Sequence, residues 1–154
     1  LLLLALLGLG RPAASAQEPA PEPLHPRHQV ATVAAAKTSI YIGSVTLTMP
    51  PFQRNGDAYT SSYQAKVFPY FFYNESGTIA ITLSDEDLRR IAAGEVVYFN
   101  GRAADAAGDP RRIEGRVVPD DAVSGKIKVR VWVSKNIELI FNTTYRFTGD
   151  ATGE

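Results

Sequence analysis

Residues 126–147, KIKVRVWVSKNIELIFNTTYRF, alternate apolar and polar side chains on two consecutive runs. Ile127, Val129, Val131 and Val133 stand against Lys126, Lys128, Arg130 and Trp132. Leu139, Phe141, Thr143, Tyr145 and Phe147 stand against Glu138, Ile140, Asn142, Thr144 and Arg146. Period two predicts half-buried strands, and the two runs predict a long hairpin. A three-residue loop, Ser134-Lys135-Asn136, keeps the apolar faces together, with Val133 beside Ile137 and Val131 beside Leu139. Asn136 is then the residue suited to a left-handed loop position.

The same period recurs upstream. Residues 38–49 read as the first strand, with a phase flip at Gly43-Ser44 that predicts a β-bulge. Pro50-Pro51 ends it, and residues 52–60 read as a loop around Asn55-Gly56. Residues 63–73 form an aromatic strand. Pro69 lacks an amide proton, so it predicts a sheet edge or a bulge there. Asn74–Gly77 reads as a turn and residues 78–83 as a short strand. Residues 95–104 and 111–119 read as two more strands around the turn 105–110. Each has a glycine in mid-strand, Gly101 and Gly115, which predicts strong local bending.

One segment breaks the period. Ser84 followed by Asp85, Glu86 and Asp87, then Leu88, Ile91 and Ala92, predicts a short helix over residues 84–93 capped by Ser84 and Asp87. Gly94 is placed to end it. About seven strands and one helix predict an all-β fold with one short α-helix. The architecture is a small antiparallel β-barrel or β-sandwich with a C-terminal meander, and the bent glycines favour the barrel.

The ends of the chain have different compositions. Leu1–Leu9 and the Ala14-Ser15-Ala16 motif fit a leader over residues 1–16, and predict export to a periplasmic or extracellular space. Residues 17–36 carry prolines at 19, 21, 23 and 26 and read as a solvated tether holding both histidines, His25 and His28. That leaves one domain over 37–149 and a short polar tail at 150–154.

The 154-residue chain has no cysteine and zero formal charge. Disulfides, thiolate metal sites and cysteine nucleophiles are excluded, and the charge gives no reason to expect nucleic acid as a partner. With histidine confined to the tether, the usual triads and zinc-hydrolase sites are missing, and nothing calls for a cofactor or metal. The acidic run at 85–87 is explained by helix capping. Asp105, Asp109, Asp120 and Asp121 would bind calcium only if their loops converged, and turn chemistry accounts for them. Asn74-Glu75-Ser76 and Asn142-Thr143-Thr144 match the glycosylation sequon. The closing Tyr145-Arg146-Phe147 has the terminal aromatic of outer-membrane barrels. Its charged outward neighbours are wrong for lipid, so no membrane span is expected.

Two surfaces remain as candidates. Phe71, Tyr73, Val131, Leu139 and Phe141 are placed to wall an interior cavity for an apolar small molecule or lipid. Arg112, Arg116, Lys126, Lys128, Arg130 and Arg146 form a basic outer face, suited to a protein or an anionic polymer of the cell envelope. Eight Lys/Arg against four Asp/Glu between residues 111 and 147 give that face its sign. The expectation is a non-catalytic binding protein, with the basic-face interaction protein as the alternative.

Overall fold

The computed structural model describes residues 28–149, and these are almost entirely strand. In chain order they form β1 (Val30–Val33), β2 (Ala36–Ile40), β3 (Gly43–Thr48), β4 (Phe52–Asn55) and β5 (Ala58–Phe68). A 3-10 turn at Phe71–Tyr73 leads into β6 (Glu75–Thr82), followed by the single helix α1 (Asp85–Ala92). β7 (Val97–Asp105), β8 (Pro110–Pro119), β9 (Ser124–Ser134) and β10 (Ile137–Thr148) complete the chain as a meander. The expected leader, most of the tether with His25, and the tail at 150–154 lie outside the described residues.

Every pairing is antiparallel, and the sheet closes on itself. β5 pairs with β6 on one side and with β3 and β4 on the other, and β1 pairs with β10. The ring β1-β10-β9-β8-β7-β6-β5-β4 is an eight-stranded barrel. β2 and β3 prolong it at one end. They continue the β1–β4 pairing in the same register, with Ala31 opposite Phe52 and Ala36 opposite Leu47. Closure removes the open edges of a flat sheet and leaves one lumen bounded by alternate residues of every strand.

Several expected boundaries move. The tether does not run to residue 36: Val30–Val33 alternates like a strand and supplies the seam of the barrel, with Val30, Ala31 and Val33 buried. His28 is also buried, its ring 4.9 Å from that of Phe147 and its carbonyl accepting a 2.6 Å hydrogen bond from Tyr59 Oη. The phase flip at Gly43 is a hairpin rather than a bulge. Ile40 pairs with Gly43 around the exposed tip Tyr41-Ile42, and Gly43 takes φ +129°. A Cβ there would lie 1.9 Å from the Phe68 carbonyl oxygen, so only glycine fits. Residues 52–60 are likewise a tight hairpin, β4–β5, turning at Gly56-Asp57. The aromatic strand stops at Phe68, so Pro69 lies beyond the ladder and marks no edge.

The 126–147 hairpin keeps its central register, with Leu139 opposite Val131. Its loop is shorter than expected. Ser134 pairs directly with Ile137 across the two-residue turn Lys135-Asn136, and the register shifts before Glu138. Val133 is the extra residue. A bulge in the strand absorbs the one-residue mismatch, so Asn136 needs no left-handed conformation, and no described non-glycine residue has positive φ.

The helix matches its sequence signals. Asp87 N donates to Ser84 Oγ at 3.1 Å and Ser84 N donates to Asp87 Oδ2 at 2.9 Å, a reciprocal capping box. Leu88 and Ile91 have no exposed surface and join the core cluster. Arg54 Nη2 meets Asp85 Oδ1 at 2.6 Å, tying the first turn of α1 to β4. This end of the barrel is filled. Phe52, Tyr59, Leu83, Phe99, Tyr145 and Phe147 occupy it and leave a residual void of only about 30 Å³.

Candidate functional site

The interior positions of the other half are small. Val45, Ala65, Val67, Ile79, Ala103, Val131 and Leu139 stand where the filled half has aromatic rings. The lumen therefore stays open over about 580 Å³, within the range of small-molecule pockets. Ile40, Tyr73, Val133 and Ile137 stand at its mouth. Around that mouth Tyr41, Ile42, Phe68, Phe71, Phe72, Tyr73 and Ile137 expose large apolar side chains. These are seven of the nine such residues among those described, so the exposed apolar surface is concentrated at this end.

One part of the wall is polar. Tyr63 Oη donates to Glu75 Oε1 at 2.5 Å, and Arg111 Nη2 donates to Glu75 Oε2 at 2.9 Å. The same nitrogen lies 3.4 Å from Asp105 Oδ2. Asp105 Oδ1 accepts from the backbone of Ala107 and Asp109, at 2.9 and 2.8 Å, and so holds the β7–β8 turn. Four strands contribute to this cluster, and Gly77 lets them meet. It pairs with Tyr63 on one side and Asp105 on the other, and has no side chain to separate them. A Cβ on Gly77 would sit 1.9 Å from the Ala104 carbonyl oxygen.

The electrostatics follow from burial and pairing. Burial raises the Tyr63 hydroxyl above its ordinary range, and the hydrogen bond to Glu75 raises it further. The hydrogen bond to Glu75 likewise raises Arg111 above its usual value, against the opposing effect of burial. The Tyr63 hydroxyl thus stays neutral, a fixed donor to a carboxylate. The arrangement can orient a polar group in an apolar lumen.

Of the residues expected on the cavity wall, Tyr73, Val131, Leu139 and Phe141 line the lumen together. Phe71 does not: it is exposed on the 3-10 turn, its ring 6.0 Å from that of Phe68. Val131 and Leu139 are only partly buried, because the space they face is open. The basic residues lie on the outer surface. Arg112 is 3.2 Å from Glu114 and its guanidinium carbon 4.0 Å from the Trp132 ring centre, and Arg130 is 2.7 Å from Glu138. Arg116 and Lys128 are cross-strand partners. Neither they nor Lys126 and Arg146 have an ion pair among the described residues. The aspartates do not converge, since Asp105 and Asp109 flank the β7–β8 turn and Asp120 and Asp121 the β8–β9 turn at the opposite end. Among the described residues no group of three or more acidic or histidine side chains is placed to hold a metal ion.

The Tyr63–Glu75–Asp105–Arg111 cluster is the part of the site that the residue pattern did not reveal. Its signal was the strand phase. Glu75 falls in step with the inward Ile79 and Ile81, Asp105 with Phe99 and Ala103, and Arg111 with Ile113 and Val117. Charged residues on the buried phase of three neighbouring strands mark an interior polar cluster.

The sequence was compared with protein-family models, curated proteins and solved structures, and none of them matches it.

Proposed function

We propose that this protein binds an apolar small molecule or lipid in the open half of its barrel, without catalysis, in a periplasmic or extracellular compartment. The observation that carries this reading is the lumen of about 580 Å³, apolar except for one polar cluster and open at a mouth ringed by apolar side chains. Sites that take small molecules combine such a cavity with a few convergent polar groups. The leader-like start of the sequence supports the compartment. In a test, the full chain is titrated with N-phenyl-1-naphthylamine, a neutral dye that fluoresces when it leaves water. Saturable uptake is expected. Ala65→Trp, which puts an indole into the lumen, should abolish it, while Gln64→Glu on the outer face of the same strand should leave it intact. Uptake unaffected by Ala65→Trp would place the dye elsewhere and defeat the reading.

A second reading is that the outer face binds an anionic polymer of the envelope. It is favoured by one observation: Arg116 and Lys128 lie side by side, and among the described residues no carboxylate is paired to either. Lys128→Asp combined with Arg116→Asp should then abolish retention on an anionic resin at low salt. Unchanged retention would rule this reading out.

A further inference from the structure

We infer, resting on the cavity-binding reading, that the molecule held in the lumen ends in a hydrogen-bond donor, a hydroxyl or a protonated amine, and not in a carboxylate. Apart from the Tyr73 hydroxyl, the polar side chains of the wall are Tyr63, Glu75 and Arg111, which are joined to one another. Their hydrogen bonds determine what is left for a ligand. The single Tyr63 donor is spent on Glu75 Oε1. Arg111 divides Nη2 between Glu75 and Asp105 and turns Nη1 to the Pro110 carbonyl at 3.3 Å, which leaves one Nη1 hydrogen; its Nε has no partner but exposes almost no surface to a ligand. Glu75 still has acceptor capacity, because each carboxylate oxygen takes up to two hydrogen bonds and each receives one.

Charge points the same way. Two carboxylates face one guanidinium, so the formal charge of the cluster is −1. A carboxylate entering the lumen would meet like charge in a poorly screened, largely apolar space, with the one nearby cation already neutralised. A hydroxyl or ammonium would instead donate to Glu75, a charge-assisted hydrogen bond of the stronger kind. The rest of the ligand needs only apolar surface, which the remaining wall supplies.

The experiment compares three molecules with one alkyl chain: dodecanol, dodecylamine and dodecanoate. Each displaces N-phenyl-1-naphthylamine from the full chain at neutral pH and low detergent. Dodecanol and dodecylamine are expected to displace the dye at concentrations about tenfold lower than dodecanoate, the scale of one hydrogen bond to a charged group. Glu75→Gln, which removes the net charge, should narrow that gap by improving dodecanoate. The wild-type order does not depend on that variant folding. Dodecanoate equal to or better than dodecanol in the wild type overturns the inference while leaving the cavity reading standing. Failure of the protein to take up the dye at all overturns both.

Discussion

The ring of Phe99 lies over Gly115, its partner on the neighbouring strand, so closely that a Cβ on the glycine would fall 2.2 Å from Cζ. The ring takes the space that a side chain at 115 would need, inside the filled half of the barrel. An aromatic partner covering a strand glycine is a recognised way to bend a sheet without leaving a void. The mid-strand glycine at 115 thus answers to a specific packing contact, the Phe99 ring.

Gly115→Ala should lower stability by about 1–3 kcal/mol, the usual range for overpacking a core. The measurement is the urea midpoint. Phe99→Leu in the same chain should recover part of the loss by making room for the new methyl. If Gly115→Ala alone leaves the midpoint unchanged, the ring moves aside at little cost and the contact is not a constraint.

Shortening the chain tests the seam. A chain beginning at His28 retains β1 and its pairing with β10, and should melt cooperatively. A chain beginning at Lys37 lacks Val30–Val33, leaving β10 and β4 with unpaired edges and Phe147 without the His28 ring. It should show a broad melt or aggregate. A sharp melt from both, followed by circular dichroism, would mean that closure contributes little to stability.

The capping box predicts paired effects. Ser84→Ala and Asp87→Ala should each cost about 1 kcal/mol, and the double variant less than the sum, because each residue satisfies a donor of the other. Strict additivity in denaturant midpoints would show that the two hydrogen bonds act independently.

Alkaline titration offers a test through the tyrosines. Burial raises the hydroxyls of Tyr59, Tyr63 and Tyr145, the last to about 12. In each case the folded form holds its proton more tightly than the unfolded form. The resulting stability is full below the ordinary tyrosine range near 10 and is lost as pH rises toward and past 12. These three should ionise together with unfolding, as read by tyrosinate absorbance beside circular dichroism. Ionisation of Tyr59, Tyr63 and Tyr145 near pH 10, with the fold intact, would contradict the burial.

The alternation of apolar and polar residues made the strands of the C-terminal meander and the capped helix legible, because each rests on local chemistry: period two, a serine cap, a closing glycine. The N-terminal third was harder to read. Residues 38–49 carry the apolar phase of one strand interrupted by glycine, and a bulge and a two-residue hairpin leave the same trace. The choice depends on Phe68, whose carbonyl abuts Gly43 from another strand. Val30–Val33 is too short to stand out beside a proline-rich run, and becomes a strand only because β10 is there to pair with it. The lumen was legible as a set of apolar positions. The Tyr63–Glu75–Arg111 cluster was not, because its members are brought together by strand register across Gly77.

The seam also governs how the chain reaches this state. Nearly every strand pairs with its neighbour in sequence, so most of the sheet can zip from hairpin to hairpin over short loops. One junction is different: Val30 must find Thr148, at the opposite end of the described chain. Its loop-closure entropy is met only when everything between is in place. On a ribosome the last strand emerges long after the first, and until it does, the first has one side without a partner. The shutting of the ring is therefore the pairing of greatest sequence separation, and until it forms the sheet keeps open edges. Open edges of that kind are where two chains could trade strands, and closing the ring removes them.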